Sequence, residues 1–502
     1  MVRRLLDRHE SIFQRALEIL PGSLAWGIIL FPAIGGFFFP QTVAYAVLIF
    51  LAYWFYRSFQ SAILGIRGYF LLKQWENTDW LAEWKKSSYD QKLNFNEIYH
   101  VVIIPNYNES AEKIAGTLTS LASQKQINLK RMIIFLAMEK RAEDAKERAD
   151  YLIKEFKTKF GGLYATYHPD NIPGEVRGKA SNETWAAKVA EKTLAKRKIK
   201  MDKVTVTSCD ADTNFHALYF ASLTYHFAVN PEHYVRFWQS PIFWYNNLAQ
   251  VPFPIRIVGV IGHAIHLASL QEPTKLIFNY SCYSLSFKLV RQVGYWHTDI
   301  IPEDWHLFLQ TFFATSGQVE VQPIFLPTNI DAAQSKTWLG SLKNRYEQCK
   351  RHAWGASDIP YAVKEAIRHP EIPLSARILR IYKLIETHLI WSTNWFILTL
   401  GATLPVILNP AFARTALGYN LPKLSQFILT VCLIALLVMI VIDLVLRPKY
   451  ARPASIFAVI REVLQWVSLP IATLFMSVLP GLDAHTRLLL GRRLEYRVTE
   501  KV

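Results

Sequence analysis

Asp210 and Asp212 stand one residue apart, shortly after the β-rich run TVTS. Because side chains two residues apart in an extended chain point the same way, we expect both carboxylates to face one site. Neighbouring hard oxygen ligands suit Mg²⁺ or Mn²⁺ that carries phosphate groups. A solvated acidic turn is the alternative reading, since the motif is short and common. The position after a strand favours the metal site.

A second acidic pair, Glu303 and Asp304, opens a predicted helical segment at 305–313. Acidic residues at a helix start ordinarily stabilise the helix dipole and cap the first turn. A carboxylate held there can equally remove the proton from an acceptor hydroxyl as a general base. The spacing alone leaves both roles open.

The segment RYEQCKRHAWG, 345–355, carries a third set of polar side chains. On a helix, Gln348 and Arg351 lie three residues apart and share a face. The forked donors of Arg351 suit a leaving diphosphate, and Trp354 offers a flat face to a sugar. A basic helix that lies on a membrane surface is the alternative.

The segment HVVIIPNYNES predicts a buried strand that ends in a polar turn before a helix, with Ser110 as the N-cap. In an open α/β sheet, ligands bind at the carboxyl ends of the strands. Asn and Glu are common in turns that have no function, so this loop alone is weak evidence for a ligand site. The other polar motifs strengthen that prediction.

These groups lie in a segment, about Trp75 to His369, where short apolar runs such as VVII and MIIFLAM alternate with charge-rich helical patterns. That alternation predicts a mostly parallel sheet covered by helices. Pro252 to Leu270 is apolar but contains Arg256 and two histidines, so we predict an interfacial amphipathic helix. His263 and His266 lack a third ligand and are not predicted to bind metal.

Long apolar segments flank this region on both sides. A hydrocarbon core roughly 30 Å thick requires about 20 apolar residues in a helix. We predict a transmembrane hairpin near the N-terminus, formed by 20–39 and 42–64. Two further spans are predicted at 384–408 and 424–446. Whether the short apolar segment 463–480, which contains Pro470, crosses the membrane is left open. Basic flanks predict cytoplasmic ends. Asp443 lies near the end of a predicted span, and we expect it to reach the interface.

The chain has 502 residues, is 51% hydrophobic and carries a formal net charge of +16. The charge accompanies apolar segments, so we predict membrane lipids as partners and no nucleic acid. Four widely separated cysteines exclude a zinc-ligand spacing and favour reduced thiols.

In this order and between apolar segments, the motifs resemble the membrane-bound family-2 glycosyltransferases, the group that includes cellulose, chitin and hyaluronan synthases. The resemblance covers nearly the whole chain and implies an α/β fold of the A type that binds a nucleotide-sugar, an inverting transfer, and a UDP-sugar as donor. PNYNE resembles the family's uridine-binding loop, Glu139 stands where the family usually has Asp, and GKASN matches its Lys-and-Asn element. The implied donor-site residues are Pro105, Tyr107, Glu109, Glu139, Lys179, Asp210, Gln348 and Arg351, with Asp210 and Asp212 as metal ligands for Mg²⁺ or Mn²⁺.

On the acceptor side, QSPIFWYNN resembles the family's Gln-x-Pro segment, with Gln239 and Pro241. Pro302-Glu303-Asp304 is similar to its TED motif, which implies Asp304 as the base and Glu303 near the acceptor. The QxxRW motif is altered, because His352 replaces its Trp and Trp354 follows two residues later. The tail 496–501 is similar to a gating loop of cellulose synthases, so the resemblance implies that Thr499 and Lys501 close over the diphosphate.

We therefore predict a hairpin at 1–70, a cytoplasmic catalytic domain at 71–375 and a C-terminal membrane region at 376–502, in a multi-pass protein of a bacterial inner membrane or its equivalent. The predicted reaction transfers a sugar from a nucleotide-sugar to a glycan or lipid acceptor. A processive polysaccharide synthase and a non-processive glycosyltransferase both remain open. A third alternative, of another class, is an inactive scaffold or transporter. The oligomeric state is not predicted.

Overall fold

The computed structural model describes residues 8–453 and 455–494. The strands are β1 Tyr99–Asn106, β2 Met132–Glu139, β3 Gly162–His168, β4 Val204–Ser208, β5 Asn214–Phe215, β6 Arg236–Gln239, β7 Ile242–Phe243, β8 Tyr283–Ser286, β9 Glu320–Pro323 and β10 Thr328–Asn329. The helices of the first 300 residues are Glu10–Phe38, Pro40–Glu76, Trp80–Lys86, Ala111–Ala122, Ala145–Phe156, Lys179–Lys196, Tyr219–Val229, Phe253–Ser269 and Phe287–Gln292. Those that follow are Glu303–Ala314, Trp338–Ala353, Asp358–Arg368, Leu374–Leu400, Leu404–Leu408, Pro410–Ala413, Ala416–Leu446, Ile456–Gln465, Leu469–Thr473 and Leu479–Leu489.

Seven strands form one sheet in the order β3-β2-β1-β4-β8-β6-β9. The neighbours β3, β2, β1 and β4 are parallel, whereas β8 runs antiparallel to both β4 and β6. A second sheet of three short strands has the order β5-β10-β7. The predicted α/β class with a mostly parallel sheet is confirmed.

The apolar runs form central strands because both of their faces are covered. Along β1, Val101 and Ile103 pack into one hydrophobic cluster, while Val102 and Ile104 pack into another. Alternate residues of a strand point to opposite faces, so the sheet carries one core on each side. Helix Lys179–Lys196 covers the first face, and helix Ala111–Ala122 covers the second.

In the described part of the chain, four helical segments are long and apolar enough to cross a membrane: Glu10–Phe38, Pro40–Glu76, Ala416–Leu446 and Ile456–Leu489. The last of these contains the segment that the sequence left open. The predicted span at 384–408 is not in this set. Its residues 384–400 lie in helix Leu374–Leu400, which carries Arg377, Arg380, Lys383 and Glu386 and ends before Gly401.

Helix Pro40–Glu76 joins the apolar part of the molecule to the α/β part. At its end, the ring of Trp75 stacks on His226 with centroids 4.9 Å apart. Further back, Gln271 donates to the carbonyl of Leu64 at 2.6 Å, just beyond the end of helix Phe253–Ser269. The predicted apolar helix at 252–270 is therefore present, and it packs directly on this long helix.

Candidate active site

The carboxyl ends of β1, β2 and β4 bring the predicted motifs to one edge of the sheet, because these strands are parallel neighbours. The turn after β1 leads into helix Ala111–Ala122, and the Ser110 hydroxyl accepts the N–H of Lys113 at 3.3 Å. The predicted N-cap is confirmed. The turn between β1 and helix Ala111–Ala122 is therefore stabilised by a hydrogen bond between residues that are close in sequence.

Asp210 and Asp212 lie in a turn and not in extended chain. β4 ends at Ser208, and the N–H of Thr213 donates to the carbonyl of Asp210 at 3.2 Å. The two carboxylates consequently have different neighbours. Oδ2 of Asp212 accepts the N–H of Asp331 at 2.8 Å, whereas Oδ2 of Asp210 accepts the hydroxyl of Ser281 at 3.2 Å. The prediction that an extended chain points both carboxylates the same way is therefore wrong, because β4 ends before Asp210.

Lys179 lies at the centre of a buried acidic cluster at the start of helix Lys179–Lys196. Its Nζ is 3.2 Å from Oδ1 of Asp210, 3.1 Å from Oε1 of Glu303 and 4.0 Å from Oε1 of Glu183. It also donates to the carbonyl of Ser281 at 3.0 Å. One ammonium group therefore connects the turn after β4, its own helix and the helix that begins at Glu303.

Asp304 is held by two backbone donors. Its Oδ2 accepts the N–H of Ser281 at 3.1 Å, and its Oδ1 accepts the N–H of Trp305 at 2.8 Å. Ser281 has φ 55°, in the left-handed region that few non-glycine residues adopt. Through its backbone and its hydroxyl, Ser281 thus connects Asp304 with Asp210.

Burial and crowding of charges change the protonation of this cluster. Burial, followed by the carboxylate of Glu303, raises the pKa of Asp304 to about 7, although Lys179 and the two N–H donors act against this. Burial also raises the pKa of Glu183 to about 8, with Glu303 adding to the effect. Burial alone would lower the pKa of Lys179, but Asp210, Glu303 and Glu183 raise it well above its usual value.

A cavity of about 180 Å³ lies at the ends of β2 and β3 and is lined by residues that include Glu139, Arg141, His168 and Arg177. Glu139 pairs with Arg141, whose guanidinium lies 4.0 Å from the centroid of the Tyr107 ring. Tyr107 is fixed in turn, because its N–H donates to Oε2 of Glu109 at 2.6 Å. The structure thus brings Tyr107, Glu109 and Glu139 together, and Pro105 lies in β1 beside them. Their role in donor binding stays a prediction.

Two predicted acceptor-side residues, Gln239 and Trp354, and the predicted donor-site residue Gln348 are buried. Gln239 is fully buried, and its amide donates to the carbonyl of Cys282 at 3.0 Å and accepts the N–H of Tyr280 at 2.9 Å. Gln348 accepts a bond from Arg345 at 2.9 Å, and Trp354 is 8% exposed. Arg351 lies on the same helix as Gln348, three residues on. Thr499 and Lys501 lie outside the described residues.

Sequence reasoning missed Ser281, Glu183 and Asp331. Glu183 stands four residues after Lys179, a spacing that places both on one helix face, so the pair was detectable. Asp331 pairs with Lys113 at 2.6 Å and supports Asp212 through its backbone, yet it lies 119 residues away from that aspartate. Ser281 carries no motif, and only the fold reveals its position.

The residues present fit a divalent cation with open coordination positions. Asp210 is 28% exposed at the sheet edge, and the donor atoms there are carboxylate oxygens, the type that Mg²⁺ and Mn²⁺ prefer. Within residues 8–453 and 455–494, no group of three or more His, Cys, Asp and Glu side chains is arranged to hold a metal ion. That Asp210 and Asp212 hold such an ion stays a prediction.

Residues 205–446 match the model of "Glycosyl transferase family group 2". No curated protein sequence matches this chain. Among solved structures, the mannosyltransferase PcManGT from Pyrobaculum calidifontis, in complex with GDP-Man and Mn²⁺, has a TM-score of 0.44 and 16% identity, over 80% of this chain and 99% of that one. Residues 1–349 of TarS from S. aureus have a TM-score of 0.33 and 12% identity, over 66% and 88%. GalNAc-T7 with UDP, GalNAc and Mn²⁺ has a TM-score of 0.31 and 11% identity, over 60% and 56%.

Proposed function

We propose that this chain, a glycosyltransferase whose residues 205–446 belong to family group 2, transfers a sugar from a nucleotide-sugar donor by one inverting displacement. The acceptor is a glycan or a lipid at the cytoplasmic face of a membrane. The observation that carries the proposal is the Ser281 bridge. Ser281 donates from its backbone N–H to Asp304 and from its hydroxyl to Asp210, which supports a single site for the proposed base and the proposed metal ligand.

In the proposed step, Asp304 takes the proton of an acceptor hydroxyl as that oxygen attacks the anomeric carbon of the sugar. The bond from the acceptor oxygen to carbon forms while the bond from carbon to the phosphate oxygen breaks, and the nucleoside diphosphate departs with its electron pair. Only one catalytic carboxylate is required, because diphosphate leaves without being protonated. Asp304 remains protonated until it returns its proton to water.

The chain's cations stabilise the departing diphosphate. Lys179 is 10% exposed and lies between Asp210 and Glu303, where a phosphate oxygen can replace a carboxylate as its partner. Arg351 supplies forked donors for the same group in this proposal. A Mg²⁺ or Mn²⁺ ion on Asp210 and Asp212 would act as a Lewis acid toward the diphosphate.

The test is nucleotide release by purified full-length protein in detergent or nanodiscs. A panel of UDP- and GDP-sugars is supplied with Mg²⁺ or Mn²⁺, with and without glycan and lipid acceptors. We expect metal-dependent release of one nucleoside diphosphate, and sizing of the product separates a polymer from a single addition. Absence of release with every donor and acceptor would overturn the proposal and favour an inactive scaffold.

The pH profile of kcat/KM follows from the raised pKa of Asp304. An aspartate at its usual pKa is deprotonated at pH 5, but Asp304, with a pKa of about 7, is mostly protonated there. Because the base must be deprotonated, we expect kcat/KM to rise about tenfold per pH unit up to about pH 7 and then to level off. A profile that is flat between pH 5 and 8 would contradict the assignment of Asp304 as the base.

Glu139 is expected to recognise the nucleobase at the cavity beside Tyr107. Replacing Glu139 by glutamine keeps the shape but removes the charge that accepts a base N–H, so we expect the donor KM to rise about 10-fold to 100-fold with little change in kcat. Initial rates at varied donor concentration measure this. The matched control is Glu143→Gln, four residues further along. An unchanged donor KM would place the nucleobase elsewhere.

A further inference from the structure

Asp443 is a buried carboxylate near the end of the apolar helix Ala416–Leu446, 2% exposed. The sequence places it at the interface, whereas the structure encloses it. An ionisable side chain buried in a membrane-length helix is costly and is retained where it has a function. The catalytic step proposed above does not use it.

Three donors converge on this carboxylate. Oδ1 lies 2.8 Å from Nδ1 of His263 and accepts the hydroxyl of Tyr245 at 2.9 Å. Oδ2 accepts the Nε–H of Arg447 at 2.6 Å. The same guanidinium forms an ion pair with Glu462, whose Oε1 lies 2.6 Å from its Nη1. Asp443 is thus the point where helix Phe253–Ser269 and the segment after β7 meet an apolar helix.

The protonation of His263 follows from its other partner. The backbone N–H of Trp244 donates to Nε2 of His263 at 2.8 Å, so that nitrogen carries no proton. The neutral ring therefore holds its proton on Nδ1 and donates it to Asp443. The carboxylate fixes both the tautomer and the orientation of the imidazole, as an acidic partner does for other functional histidines.

The segment Trp244–Asn247, defined here as the strap, leads from this network to the site. His263 holds the backbone of Trp244, and Asp443 holds the side chain of Tyr245. The next residue, Asn246, donates from its amide to the carbonyl of Asp212 at 2.8 Å. Three consecutive strap residues thus connect the buried carboxylate with the backbone of Asp212.

We propose that Asp443 is a positioning residue for the metal site, acting through His263 and the strap on Asp212. This inference rests on the proposed function, because it takes Asp212 as a metal ligand. An asparagine at 443 cannot serve all three donors, since its amide nitrogen would face either Arg447 or the pair His263 and Tyr245. Because Arg447 is a cation that only donates, we expect the amide oxygen to face Arg447 and the amide nitrogen to face the pair. The strap would then lose the acceptor that holds Tyr245 and His263, and the turn that carries Asp212 would lose one of its supports.

The experiment measures Mn²⁺ binding to full-length protein in nanodiscs from the electron paramagnetic resonance signal of free Mn²⁺, with nucleoside diphosphate present. We expect Asp443→Asn to raise the Mn²⁺ dissociation constant about tenfold and to make turnover depend on higher Mn²⁺, with kcat partly restored at saturation. Glu462→Gln is the matched control, because it alters the far end of the same network without contacting the strap. It is expected to bind Mn²⁺ as the unaltered protein does.

A folded Asp443→Asn protein with unaltered Mn²⁺ affinity overturns the inference. If that variant does not fold, Tyr245→Phe is the deciding variant, because it removes one hydrogen bond and no charge. We expect its Mn²⁺ dissociation constant to rise about threefold. An unchanged dissociation constant overturns the inference. Failure of the proposed function is a separate result. In that case the unaltered protein itself shows neither Mn²⁺ binding nor nucleotide release.

Discussion

Replacing Asp304 by asparagine is expected to lower kcat by about 10²–10⁴-fold, the range that a positioned general base contributes. The amide is similar in size but does not accept a proton at neutral pH. Donor binding should change little, because Asp304 contacts Ser281 and Trp305 and not the cavity beside Tyr107. The measurement is nucleotide release at saturating donor and acceptor, together with the donor dissociation constant.

Asp299→Asn is the matched control, since this aspartate is exposed and lies five residues before Asp304, in the loop that precedes its helix. It should retain full activity. A second comparison uses Asp304→Glu, which keeps a carboxylate and should retain more activity than the amide. Residual activity of Asp304→Asn within a few-fold of the unaltered protein would exclude Asp304 as the base.

The second large effect is expected for Asp212→Asn. Asparagine keeps an oxygen that can accept the N–H of Asp331, so the turn should persist while one negative charge is lost. A metal that stabilises developing charge is worth several kcal/mol, which corresponds to about 10²–10³-fold in kcat at fixed Mn²⁺. Titration of Mn²⁺ against both binding and turnover measures the loss.

Asp202→Asn serves as its control, because Asp202 is exposed and precedes the same strand, β4. We expect Mn²⁺ to bind this control unchanged. If Asp212→Asn binds Mn²⁺ and turns over normally, Asp212 has only a structural role in the turn that it shares with Asp331.

The sequence predicts those parts of the site that are local in the chain. Ser110 caps its helix because the cap depends on the next three residues, and β1 and β2 form because their apolar runs require cover on both faces. Glu303 and Asp304 lie at a helix start as predicted, for the same local reason. The motif order predicts where the donor site lies, and both that location and the roles of its individual residues stay predictions.

Contacts between distant residues were beyond the sequence. His263 and Asp443 are 180 residues apart, and nothing in the pattern around either indicates the other. The directions of the Asp210 and Asp212 side chains were not predictable either, because a period of two residues holds only within a strand and β4 ends at Ser208. Whether a strand continues for two more residues depends on pairing with its neighbours, which a single sequence does not contain.

Helix Pro40–Glu76 has one further consequence, which follows from its length. At 37 residues it is about 55 Å long, nearly twice the roughly 30 Å of a hydrocarbon core. The same unbroken rod carries apolar residues at one end and Trp75 against the α/β part at the other. A bilayer that is thicker or thinner than its apolar stretch changes the tilt of the rod. If this helix crosses a bilayer as the proposed function requires, that tilt would move the α/β part with it, and lipid thickness would change the height of the proposed base, Asp304, above the membrane.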